Sequence, residues 1–143
     1  MRTAQEAAQR FYIRFDGENV EYINPVAKCG EIWMCSLPES GGSIQSGYRP
    51  VFIVSNDRNN QHSTTLNVIP LTTKMKRRSL PCHVEIWDYE RYGLTAPSTI
   101  LVEQMMTINK SCLKRRLGNI DNVDILVRIC KAMQIQFPVI TLV

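Results

Sequence analysis

From Glu31 to Met105 the chain runs as a series of short β-prone segments, each closed by turn-forming residues, with no long helical stretch between them. This punctuation limits the fold more than any other feature, because such segments build sandwiches and small barrels rather than helical bundles. The segments are Glu31 to Leu37, Pro50 to Ser55, Thr64 to Leu71, Cys82 to Trp87 and Ser98 to Met105. Pro50 to Ser55 is apolar nearly throughout, as a strand covered on both faces would be. Pro70 removes a ladder donor and predicts a bulge or an edge near the end of the third strand. Between the first two strands, Pro38 to Arg49 holds Gly41, Gly42, Ser43, Ser46 and Gly47, a flexible loop whose backbone can approach a ligand closely. Asn56 to Ser63 reads as a polar loop, and Thr72 to Pro81 as a second mobile loop carrying Lys74, Lys76, Arg77 and Arg78.

Both ends depart from this pattern. Residues 1–28 read as an N-terminal extension, with helical composition over Ala4 to Phe11 and a short strand over Val20 to Ile23 ended by Asn24-Pro25; the barrel domain takes up 29–143. In the last third, Asn109 to Leu117 is expected to be a short helix ended by Gly118. Asp121 to Gln136 is expected to be a longer helix, capped by Asp121, with Val123, Leu126, Val127, Cys130 and Met133 on its buried face. The fold class is therefore mainly β with appended helices. A chain of 143 residues with 44% hydrophobic content supports one core.

Composition narrows the function classes. A net charge of +4 permits an RNA partner without demanding one. The apolar runs Val51 to Val54 and Thr99 to Val102 are far too short to span a membrane, and Met1 to Phe11 has no apolar run of signal-peptide length, so the expectation is a cytoplasmic chain without membrane association. Cys29, Cys35, Cys82, Cys112 and Cys130 form no CxxC pair and read as reduced thiols without a catalytic role. His62 and His83 stand far apart without companions at metal-ligand spacing, so no metal or other cofactor is expected.

Several side chains could carry chemistry. Pro50 biases Arg49 towards an extended backbone at a strand entrance beside the flexible loop, and its guanidinium suits a phosphate or the charge that builds up on a phosphorane. A surface arginine paired with a carboxylate is the other reading, and the local sequence leaves it open. Thr72 and Thr73 end the third strand, where a hydroxyl could bond a phosphate oxygen. Lys74, Lys76, Arg77 and Arg78 either follow an RNA backbone or form a solvated loop. Glu103 and Gln104 face opposite ways in an apolar strand, and at least one of them, if buried, needs a polar partner, which points to a structural hydrogen bond rather than to catalysis.

Taken in order, the stretches Gly30 to Trp33, Gly42-Ser43, Ser46 to Asp57, Val68 to Thr72, Pro81 to Glu85, Glu103-Gln104 and Thr107 to Lys110 resemble the MazF/PemK/Kid family of toxins over about residues 29–137. The resemblance implies an SH3-like small barrel of the MazF/CcdB type with a C-terminal helix, a homodimer, and sequence-selective, metal-independent cleavage of single-stranded messenger RNA. Its two main catalytic positions fall on Arg49 and Thr72. Attack by the ribose 2'-hydroxyl would leave a 2',3'-cyclic phosphate and a 5'-hydroxyl. RNA recognition would fall to Gln104, Ser43, Gln45 and His83, with Thr73 and the basic loop along the backbone. A cognate antitoxin would lay an acidic peptide in the same groove. Two positions depart from the family pattern: Ile44 stands where relatives are often acidic, and Met106 where arginine is usual. The alternatives are a non-catalytic toxin resembling the topoisomerase-binding CcdB proteins, and a degenerate homologue that binds RNA or antitoxin without cutting.

Overall fold

The computed structural model describes residues 8–15, 18–74 and 80–140, and over 8–25 only the course of the backbone. An N-terminal hairpin comes first, β1 (Ala8–Phe15) and β2 (Glu18–Pro25), paired antiparallel from Ala8↔Pro25 to Phe15↔Glu18 and separate from the main sheet. The helix expected over Ala4 to Phe11 is thus a strand from Ala8 onward, and residues 4–7 lie outside the described residues. Aromatic and β-branched residues at Phe11, Tyr12, Ile13 and Phe15, with Asp16-Gly17 between the paired ends, outweigh the helical preference of the alanines. The short strand expected at Val20 to Ile23 lies inside β2.

The main sheet consists of β3 (Glu31–Leu37), β4 (Gly47–Ile53), β5 (Thr65–Thr72), β6 (His83–Ile86), β7 (Ser98–Leu101), β8 (Met106–Asn109) and β9 (Leu113–Asn119). Its order is β6-β7-β5-β4-β3-β9, with β8 also on β5, and every pairing is antiparallel. The architecture is the expected mainly β one with a C-terminal helix. Its ladder is an open path from β6 to β9 rather than a fully closed barrel.

β5 explains Pro70. Along one edge β5 pairs first with β8, through Thr65 to Val68, and then with β7, through Leu71 and Thr72. Backbone groups alternate sides along a strand, and the Asn67 carbonyl points to β4 while that of Thr64 points to Lys110 after β8. Pro70 therefore turns its missing donor to the edge where the partner changes, so no ladder bond is lost.

Both faces of the sheet are covered. Trp33, Cys35, Val51, Ile53, Leu66, Val68 and Ile108 form one buried cluster. Ile32, Phe52, Ile69, Leu71, Val84, Ile86 and Ile100 form the other, beneath the helix α2 (Val123–Gln136). This is why Val51, Phe52 and Ile53 of β4, which alternate between the two cores, are all apolar. Each such side chain contributes about 1.5–3 kcal/mol when fully buried. Burial also pushes the Cys35 thiol up to about 12, with Cys112 adding to the shift, so it stays protonated.

Elsewhere the structure corrects the expectations. Asn56 to Ser63 is not all loop: a one-and-a-half-turn helix, α1 (Asp57–His62), is capped by the Asn56 side chain accepting the Asn59 N–H at 2.9 Å. Asn109 to Leu117 is not a helix; a 3-10 turn at Lys110–Cys112 leads directly into β9. Gly118 does not stop a helix either. It lies in β9 where a Cβ would come within 2.6 Å of the Tyr92 carbonyl oxygen, so glycine is required by close backbone approach. The α2 cap is Asn122, whose side chain accepts the Asp124 N–H at 2.9 Å, rather than Asp121.

The expected face of α2 is also rotated. Ile125, Ile129 and Ala132 are buried, with Leu126 and Met133 packed beside them, whereas Val123 is 69% and Val127 44% exposed. Two apolar stripes run along this helix, and the one carrying two isoleucines takes the core because it buries more surface. No helix among the described residues is long and apolar enough to cross a membrane.

Candidate active site

The β4–β5 ladder pairs Ile53 with Val68, Phe52 with Ile69 and Val51 with Pro70. Continuing this register by two residues sets Arg49 opposite Thr72, on the face of the sheet that Val51 and Pro70 also share. Arg49 is not at a strand entrance as predicted: β4 begins at Gly47, because its pairing with β3 runs out to Leu37↔Gly47. Gly47 has a φ of 82°, which lets the loop 38–46 turn back over the strand.

The loop closes a cavity of about 250 Å³, lined by Arg49 and Thr72, by Ser43, Ile44, Gln45 and Ser46 from the loop, and by Lys74 beyond β5. Of the expected site residues, Arg49, Thr72, Ser43, Gln45 and Lys74 are thus brought together. Among the described residues, both charged groups in the lining are cations. Arg49 donates from Nε to the Ser46 carbonyl at 2.8 Å and from Nη1 to Gln45 Oε1. These partners are neutral oxygens, so the carboxylate-paired reading of this arginine does not hold among the described residues, and its full charge faces the cavity. Thr72 Oγ1 accepts the Lys74 N–H at 3.2 Å, which leaves its own O–H to donate.

Gln104 ends a 3-10 turn, Val102–Gln104, where strand had been expected, and reaches the loop from across the sheet. Its Oε1 accepts the Gln45 N–H and its Nε2 donates to the Ser43 carbonyl, both at 3.3 Å. Thr73 follows strand alternation to the other side, where it lines a separate cavity of about 200 Å³ with Met34, Pro50 and Arg115. Lys76, Arg77 and Arg78 lie outside the described residues.

His83 is not part of the cavity. Its side chain is 1% exposed, its Nδ1 accepts the Leu80 N–H at 3.1 Å and its Nε2 meets Glu103 Oε1 at 2.8 Å. Cys82 donates its thiol to the other Glu103 oxygen at 3.4 Å, and burial, then Glu103, raises its pKa. Of Glu103 and Gln104, Glu103 thus makes the structural hydrogen bonds expected of at least one of the two. Cys82, His83 and Glu103 stand close enough to surround an ion. The ring polarity opposes this: a metal-bound imidazole donates through its second nitrogen, whereas Nδ1 here accepts a backbone proton and Nε2 carries the ring's own.

A larger open groove of about 420 Å³ runs along Trp87 to Arg91, but Asp88, Glu90 and Arg91 give it mixed charge and it lies apart from Arg49 and Thr72. The structure also reveals a contributor that residue type could not flag, the Ser46 carbonyl, since any residue supplies one. Met106 sits in β8, packed against the buried cluster around Trp33, so that departure from the family pattern is absorbed in packing rather than in the cavity. Ile44, the other departure, is 54% exposed in the cavity lining.

Residues 28–137 match the family described as PemK-like, MazF-like toxin of type II toxin-antitoxin system. The chain is 36% identical to Endoribonuclease EndoA of Bacillus subtilis (strain 168) over 115 residues, covering 80% of this chain and 97% of that one. Among solved structures, MazF from Deinococcus radiodurans superimposes with a TM-score of 0.66 at 18% identity, covering 79% of this chain and 97% of its own. An endoribonuclease in complex with its cognate antitoxin from Mycobacterial species superimposes with a TM-score of 0.59 at 23% identity, covering 78% and 95%. These two structures show that the fold is shared.

Proposed function

This chain belongs to the PemK-like, MazF-like family of type II toxins, and from that footing we propose that its endoribonuclease activity resides in the cavity between Arg49 and Thr72 and acts on single-stranded RNA. The observation that carries the assignment is the cation-lined cavity itself, with a guanidinium set across the sheet from a hydroxyl free to donate.

The reaction that suits these groups is internal transesterification. The ribose 2'-oxygen loses its proton and bonds to phosphorus, the bond from phosphorus to the 5'-oxygen breaks, and that oxygen takes up a proton. Because the nucleophile is tethered to its target, the protein has to align it and stabilise charge, and no metal-activated water is needed. Arg49 stabilises the negative charge that grows on the phosphorane. A guanidinium keeps its proton at physiological pH, so its role is electrostatic rather than that of a base. Thr72 donates its O–H to a non-bridging oxygen, and Lys74 attracts the flanking phosphate.

The same cations suit an acidic peptide, which fits an antitoxin partner of the kind seen with the mycobacterial relative. A homodimer acting on messenger RNA in the cytoplasm completes this reading. The relatives reported above give no support to the topoisomerase-binding alternative.

Thr72 supplies the test. Thr72→Val is close in shape but has no hydroxyl, and kcat on a defined RNA is expected to fall about 10- to 100-fold, in the range for losing one hydrogen bond to a charged group. Thr72→Ser is expected to keep most of the rate. Equal rates in all three proteins would remove Thr72 from the mechanism.

A further inference from the structure

Arg49 has four rotatable side-chain bonds and lies beside a glycine-rich loop, so something has to set its direction before a phosphate arrives. Every partner of its guanidinium among the described residues comes from that loop: the Ser46 carbonyl at 2.8 Å and Gln45 Oε1. Gly41 and Gly42 would leave the loop free to wander, Gly42 with a φ of 73°. A side chain from the turn between β7 and β8 ties it down. Gln104 clasps the loop backbone at two points, accepting from Gln45 N–H and donating to the Ser43 carbonyl.

We propose that Gln104 and Gln45 form a positioning relay for Arg49, in which Gln104 fixes the loop backbone and the Gln45 side chain fixes the guanidinium. The inference rests on the endoribonuclease reading of the cavity. It gives Gln104 a different task from the base reading expected of it, since both ends of its amide are committed to loop backbone. With Nε and one Nη1 proton engaged, three of the five N–H groups of Arg49, both on Nη2 among them, are left for phosphate oxygens. Holding the guanidinium in this way removes the freedom it would otherwise lose when the transition state forms.

The test uses the full chain and a short RNA containing a site that the wild-type protein cuts. Gln45→Met keeps length and bulk but has no strong acceptor. It is expected to lower kcat about 100-fold with KM within about 3-fold, as misdirection of a catalytic group does. Gln104→Ala is expected to lower kcat in the same way while the sequence at the cut stays the same. Because both act through Arg49, the double variant should lose little more than the worse single one, well short of the product of the two losses. Ser43 and Ile44 are exposed and Gln45 and Gln104 only half-buried, so unfolding midpoints should stay close to wild type.

Full kcat in Gln45→Met, multiplying losses in the double variant, or a new cut sequence in Gln104→Ala would each overturn the relay while leaving the nuclease reading intact. Failure of the wild-type protein to cut any RNA would instead overturn the nuclease reading, and the relay with it.

Discussion

Arg49→Ala is expected to slow RNA cleavage about 1,000-fold, roughly 4 kcal/mol in the barrier, while the folded protein remains as stable as before. The size follows from what the cavity contains. Its charged lining is Arg49 and Lys74, and Lys74 lies beyond the end of β5 whereas Arg49 is set opposite Thr72 by the sheet register. Among the described residues, removing the guanidinium thus takes away the one cation of the lining that the strand register sets opposite Thr72. Stability should hold because Arg49 is half-buried and its partners, the Ser46 carbonyl and the Gln45 amide, belong to a largely exposed loop where water can replace it. Arg49→Lys should recover only a small part of the rate, since an ammonium is a point charge that cannot bond Ser46, Gln45 and a phosphate together in one plane. Single-turnover rates with RNA in excess of KM would show this. A rate for Arg49→Ala within about tenfold of wild type would remove Arg49 from the chemistry.

Glu31→Ala is expected to lower folding stability by about 3–5 kcal/mol, as removing one partner of a buried ion pair does. Glu31 lies at the start of β3 and Arg116 in β9, and their side chains are 9% and 14% exposed. The carboxylate does more than pair with the Arg116 guanidinium. It also accepts the Lys28 N–H at 2.6 Å and the Trp33 indole N–H at 3.3 Å. Alanine would leave three donors without this acceptor, at the point where the N-terminal residues enter the sheet. Against a total of about 5–15 kcal/mol for a domain of this kind, such a loss is a large share. Glu31→Gln keeps an acceptor and should lose less. Denaturant unfolding measures both, and a midpoint for Glu31→Ala equal to wild type would show that the pair does not hold β9 in place.

Much of this was legible in the residues, for identifiable reasons. β3, β5 and β6 could be read because each is a short β-prone run ended by turn residues, and the double burial of Val51 to Ile53 could be read because an unbroken apolar run has no solvent face. Arg49 could be singled out because proline and a glycine-rich loop flank it. That it faces Thr72 could not, because this depends on the β4–β5 register, which distant parts of the chain decide. The same alternation separates Thr72 from Thr73, two adjacent threonines that look alike in sequence yet line different cavities. His83 looked available for RNA because its residue type is; Leu80, three residues away, takes one ring nitrogen, and Glu103, which takes the other, becomes its neighbour only when β6 and β7 pair. The face of α2 was misread because two apolar stripes fit one helical period, and only the contact with β6 and the turn at Val102–Gln104 chooses between them.

The most direct experiment is to incubate the purified wild-type chain with a long single-stranded RNA in EDTA and identify the chemical groups at the ends produced. Attack by the 2'-hydroxyl under the charge of Arg49 requires discrete internal cuts, with a 2',3'-cyclic phosphate on the upstream fragment and a 5'-hydroxyl on the downstream one. RNA left intact, or cut only when Mg²⁺ is added and bearing 5'-phosphate ends, would contradict it.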